Sequence, residues 1–218
     1  MSDAAPFQHV IETADGLREL YRQPSRLVID KEREELDAAT TAFLHRCRFA
    51  VLGTFDADGH PDVSPRGGPS GFVRVLDPGR IAIADLSGNN RLDTLQNVVA
   101  TGRVGAIFVV PGQSETVRVN GQAWITTDPA VLSGFDLPTV PKAAIGLRVD
   151  TTFVHCAKAF MRGGVWDVEA WAALAGAPDG AEILACQQVA DVSAATVRKL
   201  LDDGYEHDLI EEGSRAVK

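Results

Sequence analysis

The stretch Phe49–Gly68, FAVLGTFDADGHPDVSPRGG, constrains the fold more than any other part of the chain. An apolar run, FAVLGTF, meets Asp56-Ala57-Asp58-Gly59, where Asp and Gly favour turn conformations. The chain resumes through Pro61-Asp62-Val63 and ends in Ser64-Pro65-Arg66-Gly67-Gly68. The pattern predicts a β-hairpin whose second arm brings a serine, a cation and two glycines to one place. Glycines permit a ligand to approach the backbone closely, and an arginine can make a paired contact with an anion. The same residues also suit a plain surface loop with one exposed arginine.

Further strands follow. Gly71–Leu76 reads as a strand, Asp77-Pro78-Gly79 as a turn and Arg80–Asp85 as the returning strand. Leu86-Ser87-Gly88-Asn89-Asn90-Arg91 is a polar loop, after which Leu92, Leu95, Val98 and Val99 make the apolar face of a helix with Arg91 in its first turn. A helix N-terminus offers unpaired N–H groups and a partial positive charge. Ser, Gly and Asn add neutral donors and Arg91 adds a full charge, which together make a candidate phosphate cradle. Ordinary capping by Asn89 or Asn90, with Arg91 solvated, is the other reading.

Arg103–Val110 and Glu115–Thr126 read as strands, with Thr116, Arg118 and Asn120 on one face of the second and Gly121 marking a bulge or a closely approached backbone. Ala143–Val154 is a further strand. His155 and Cys156 are adjacent, so on a strand they point to opposite faces and make no nucleophile–base pair by adjacency. Upstream, Lys31–Arg46 reads as a helix capped by Asp30. Pro129 starts a short helix, Asp179 and Glu182 have capping-box spacing, and a helix from Ser193 is expected to end at Gly204. Strands joined by short turns, without regular strand–helix alternation, argue for an antiparallel barrel.

Charge narrows the function classes. Lys and Arg total 21 against 30 Asp and Glu, a net of −9, so nucleic-acid backbone binding is not expected. The three cysteines, Cys47, Cys156 and Cys186, form no CxxC pair, so no metal site is expected, and the odd count fits a reducing, cytoplasmic setting. The N-terminus lacks the pattern of a signal peptide, and no apolar run has membrane-spanning length.

Taken in order, SPRGGPSGFVRV, IAIADLSGNNRLDTLQN, RVGAIFVVPG, ETVRVNGQAWITTDP and HCAKAFMRGGVW resemble the pyridoxamine 5′-phosphate oxidase-like family of FMN-binding split β-barrels, over about residues 20–175. The likeness is narrower to the FMN-dependent group that carries SPRGG and RVNG. It implies an α+β, mainly β fold: a six-stranded antiparallel Greek-key split barrel with flanking helices and a helical C-terminal tail. The chain is accordingly divided into an N-terminal segment at 1–30, an FMN-binding barrel domain at 31–175 and, from its helical pattern, a helical appendage at 176–218. It also implies a homodimer with FMN at the interface, or the deazaflavin F420 in its place. By position, the resemblance puts Ser64, Arg66 and Gly67 along the flavin, Asp85 beside it, and Asn90 and Arg91 at the phosphate. Thr116 and Asn120 would face the flavin from the next strand, and Arg162 and Trp166 would come from the partner subunit. The long C-terminal motif of vitamin B6-phosphate oxidases is not apparent, so that substrate is not expected.

The leading expectation is a flavin-dependent oxidoreductase acting on a small molecule, with no catalytic side chain singled out. A non-catalytic flavin- or haem-handling protein and a plain dimeric interaction protein are the alternatives.

Overall fold

A computed structural model describes residues 7–174, 176–187 and 192–213 and divides the chain into two compact units, Met1–Glu32 and Arg33–Lys218. The first unit holds two short helices, α1 (Ala14–Leu20) and α2 (Arg26–Asp30), neither of which buries a residue. Thr13 caps α1 by accepting the Gly16 N–H.

The second unit begins with α3 (Ala38–Arg46), not with the longer helix expected from Lys31. The Asp37 carboxylate caps α3 by accepting the Thr40 N–H at 2.7 Å. Residues 33–36 give their backbone groups to the sheet instead. Arg33 exchanges both backbone hydrogen bonds with Thr152, and the Leu36 N–H reaches the Pro78 carbonyl at 2.7 Å. Those groups are therefore unavailable to an i→i−4 ladder.

Seven strands form one antiparallel sheet: β1 (Phe49–Phe55), β2 (Pro61–Gly67), β3 (Val73–Asp77), β4 (Arg80–Asp85), β5 (Arg103–Val109), β6 (Thr116–Thr126) and β7 (Ala143–His155), in the order β2-β1-β5-β6-β7-β4-β3. The expected count of six is corrected to seven. β2 pairs with β1 along its whole length and β3 stays paired with β4, so the outer arms of both hairpins remain in the ladder. On the inner face Leu52, Phe108, Val119, Ile83, Ile145 and Leu147 are buried in a continuous core. Gly121 meets both alternatives its place in the strand allows: the register passes from Asn120↔Thr151 to Gly121↔Val149, so Asp150 of β7 is the bulged residue beside it, and the Arg148 carbonyl approaches its backbone closely.

The remaining helices are α4 (Asp93–Thr101), α5 (Pro129–Leu132), α6 (Lys158–Arg162), α7 (Val168–Trp171), α8 (Gly180–Cys186) and α9 (Ala194–Glu211). The Asp179–Glu182 capping box is formed at the start of α8. α9 runs straight through Gly204, where an end was expected. One glycine in a helix of 18 residues costs only about 1 kcal/mol, too little to stop a helix started by the Ser193 cap. No helix among the described residues is long and apolar enough to cross a membrane.

The sheet is curled. Five ladder steps separate β2 from β4, about 24 Å measured along a flat sheet at ~4.8 Å per step. Yet Arg66 on β2 and Asp85 on β4 form an ion pair at 2.6 Å. The barrel is thus split between β2 and β4, and side chains rather than a backbone ladder bridge the split.

Candidate functional site at the split of the barrel

The period of two along β2 decides what faces the split. Asp62, Ser64 and Arg66 alternate onto the half-buried inner side, while Pro61, Val63, Pro65 and Gly67 are exposed. Arg66 Nη1 donates to Asp85 Oδ1 at 2.6 Å, with both side chains about four-fifths buried (19% and 20% exposed). Arg66 Nε is buried with no hydrogen-bond partner, the one such side-chain atom among the described residues. A buried charged donor without a partner carries a desolvation cost, so it marks a place where an acceptor belongs.

A cavity of about 280 Å³ opens at this pair. Ser64, Arg66 and Gly67 form one wall, Asp85 another, and the loop from Ser87 to Asn90 its rim. The loop is strained. Asn90 and Leu92 both have left-handed backbones, φ 57° and 63°, and a bulky Leu rarely adopts that conformation. Non-glycine residues held there tend to gather at functional sites. Leu92 stands at the N-cap of α4 and makes no side-chain cap. Neither asparagine caps the helix; the Asn89 side chain accepts the Arg91 N–H at 3.1 Å instead.

Five of the ten expected residues come together here: Ser64, Arg66, Gly67, Asp85 and Asn90. Arg91 does not line the cavity. It precedes α4 instead of lying in its first turn, it is exposed, and its Nε is committed to Asp93 Oδ2 at 2.7 Å. Thr116 is buried opposite His155. Asn120 lines a different cavity, of about 390 Å³, with Gly53, Arg103 and Asp150. Arg162 is exposed at the end of α6, and Trp166 donates its indole N–H to the Gln113 carbonyl at 2.8 Å.

Two site features escaped the sequence reading. Asp62 Oδ2 accepts from Thr94 at 2.9 Å and Thr54 at 3.4 Å, and Asn97 donates to Thr54 at 3.0 Å. This network ties β1 and β2 to α4, just after the strained loop. Its signal in the sequence was the spacing Asp62, Ser64, Arg66, which puts three polar side chains on one strand face. The second feature is a hydrogen bond from the Ser87 N–H to the Glu212 carboxylate just past α9, a contact across 125 residues that no local pattern announces.

Other titratable groups lie away from the cavity. Asp56, Asp58 and His60 cluster on the β1–β2 turn, where the Asp56 carboxylate accepts from the Asp58 and His60 N–H groups and bonds the His60 ring. These bonds, the His60 ring first, hold the Asp56 carboxyl below the usual range. Burial pushes the Cys47 thiol up to about 11, so it is a core residue rather than a nucleophile.

Residues 36–150 match the family model described as pyridoxamine 5′-phosphate oxidase. Similar solved structures include HupZ of Group A Streptococcus, 21% identical, covering 55% of this chain and 94% of that one with a TM-score of 0.43. A protein named F420 reductase is 17% identical, covering 54% and 98%, with a TM-score of 0.40. A FAD-binding protein of Mesorhizobium loti is 18% identical, covering 57% and 99%, with a TM-score of 0.37. No curated protein matches the chain. The family match takes in more than half of the 218 residues, and the chain belongs to the pyridoxamine 5′-phosphate oxidase family.

Proposed function

We propose that the chain is a flavin-dependent oxidoreductase that holds FMN in the cavity at the split of the barrel. The observation that carries this reading is the unpartnered, buried Arg66 Nε on the cavity wall. A second observation supports the fit. The rim loop already binds an anion, since the Ser87 N–H is held by the Glu212 carboxylate. The donor set suits a ligand with hydrogen-bond acceptors and an anionic tail.

The cofactor, when bound, would supply the electron transfer, and the protein binds and orients it. Arg66 offers Nε to an acceptor while Asp85 fixes its guanidinium through Nη1. Ser64 adds a hydroxyl on the same strand face. Gly67 leaves the end of β2 without a side chain, so a planar ligand can lie against the backbone. The rim residues Ser87 to Asn90 offer backbone N–H groups and amide side chains to a phosphate.

The reading includes a second copy of the chain. Pro65, Val51, Ile107, Arg118 and Phe153 lie in register across five strands of the outer sheet face. Phe49, Phe55 and Val63, also outward, are exposed at 40%, 44% and 68%. A two-fold interface on this face would cover that apolar surface and lead Thr116, Asn120, Arg162 and Trp166 toward the partner's site.

Native purification followed by absorbance and mass identification of any extracted cofactor tests the reading, together with FMN titration of the apoprotein. Bound or reconstituted FMN and a dimer in sedimentation are expected. A protein that takes up neither FMN nor riboflavin overturns the flavin reading, and a monomer that binds FMN overturns the dimer.

A further inference from the structure

The end of α9 is built onto the rim of the cavity. Glu212 is its C-cap residue, with its N–H bonded to the Asp208 and Ile210 carbonyls. Gly213 follows with φ 69°, and a Cβ there would stand 2.7 Å from Pro138 Cβ. So the helix ends in a left-handed turn pressed against the loop before β7, and only glycine satisfies both the backbone and the space. The turn sets Glu212 over the rim loop, where its carboxylate accepts the Ser87 N–H. Asp208 and Glu211 line the adjoining cavity of about 420 Å³ with Ser87, Asn90 and Lys142. Farther along, Arg198 pairs with Asp179, the cap of α8, which anchors α9 at its other end.

We propose that Glu212 is an internal anion that competes with the phosphate of the incoming ligand for the rim loop. The C-terminal end of α9 is then an autoinhibitory contact, and a phosphate-bearing ligand must displace it. The inference rests on the anion-binding reading of the same loop. Its physical basis is charge. Two anions cannot share one N–H donor, and Asp208 and Glu211 beside Glu212 raise the repulsion on any second anion. A ligand without a phosphate does not contest the Ser87 N–H.

Two measurements test this. The first compares FMN and riboflavin affinities, by quenching of flavin fluorescence, in the wild type, Glu212→Gln and Gly213→Ala. Both variants should bind FMN more tightly, by roughly three- to tenfold, the worth of one exchanged hydrogen bond, with riboflavin unchanged. FMN affinity equal to wild type in both variants overturns the competition while leaving the flavin reading standing. The second uses no flavin. Hydrogen exchange in residues 205–213 is followed as inorganic phosphate is added, with chloride at matched ionic strength as the control. Phosphate should speed exchange there in the wild type and not in Glu212→Gln. Exchange indifferent to phosphate overturns the latch, whether or not FMN binds.

Discussion

Arg66 Nη1 on β2 lies 2.6 Å from Asp85 Oδ1 on β4, joining two strands that the hydrogen-bond ladder keeps five steps apart. The pair spans the gap in the barrel and forms part of the cavity wall, so one contact both joins the two strands and shapes the cavity. Both are mostly buried, so their coupling should be measurable. Arg66→Ala and Asp85→Ala should each cost about 2–4 kcal/mol, and the double variant should cost less than their sum by about 1–3 kcal/mol. Urea unfolding of the four proteins gives the coupling, and additive costs would show that the bridge contributes nothing.

Arg66, rather than Arg91, is expected to dominate ligand affinity. Arg66 faces the cavity with Nε unpartnered, whereas Arg91 is exposed and engaged with Asp93. Arg66→Ala should weaken FMN binding by roughly 10–150-fold, the worth of a charge-assisted hydrogen bond. Arg91→Ala should change it by less than about threefold, as for an exposed pair. Arg66→Lys should recover part of the loss without restoring the planar fork. A larger loss from Arg91→Ala would return the phosphate to the position read from the sequence.

Asp62 is expected to act on the rim loop without touching the ligand. Asp62→Ala leaves the Thr54 and Thr94 hydroxyls short of an acceptor and should cost about 1–3 kcal/mol. Asp62→Asn should recover part of the stability. Thermal unfolding of both variants reads the difference, and an unperturbed Asp62→Ala would rule out the network as the tie between β2 and α4.

The Asp37 cap should show in the pH dependence of stability. The hydrogen bond from the Thr40 N–H, more than any other contact, holds the Asp37 carboxyl below its ordinary value. The folded pKa is depressed, so the contribution is present above the unfolded value of about 3.9 and is lost as pH falls through the folded one. Asp37→Ala should therefore destabilise by about 1 kcal/mol at neutral pH. The gap to wild type should narrow as pH falls below the ordinary carboxylate range. A gap that persisted at low pH would deny the charge a role.

Thiol labelling should separate the cysteines. Cys156 and Cys186 are exposed, while Cys47 is fully buried and its thiol is pushed up to about 11. At neutral pH a maleimide should modify two thiols in the native protein and the third only on unfolding. Rapid native labelling of Cys47 would contradict its place in the core.

What was legible in the sequence was what short periods encode. The β1–β2 hairpin and the capping box at Asp179 each follow from neighbours a few residues apart. The misread elements were set by distant partners. Residues 33–36 have a helical pattern, but Thr152 and Pro78 take their backbone groups. The apolar period starting at Leu92 puts Arg91 in the first turn of α4, yet Leu92 adopts φ 63° and the helix begins at Asp93. Half of the expected residues, Ser64, Arg66, Gly67, Asp85 and Asn90, line the cavity, and they are readable as residue types at the ends of strands and in the loop after β4. The Glu212 contact is not, since only the folded chain brings α9 to the loop.

Gly121 lies away from the cavity, yet it sets the conditions under which the cavity exists. A Cβ at this position would stand 1.8 Å from the Arg148 carbonyl oxygen, which no packing adjustment absorbs. Asp150 is the residue skipped by the register, and directly below it β4 takes up its pairing with β7 at Arg148. A bulge sharpens the local twist of a sheet. Here it lies where β4 must begin turning back toward β2. The room for that twist is left by an atom that is missing. A side chain at 121 would push the Arg148 carbonyl away and disturb the pairing of β7 with both β6 and β4, without altering any group that lines the cavity.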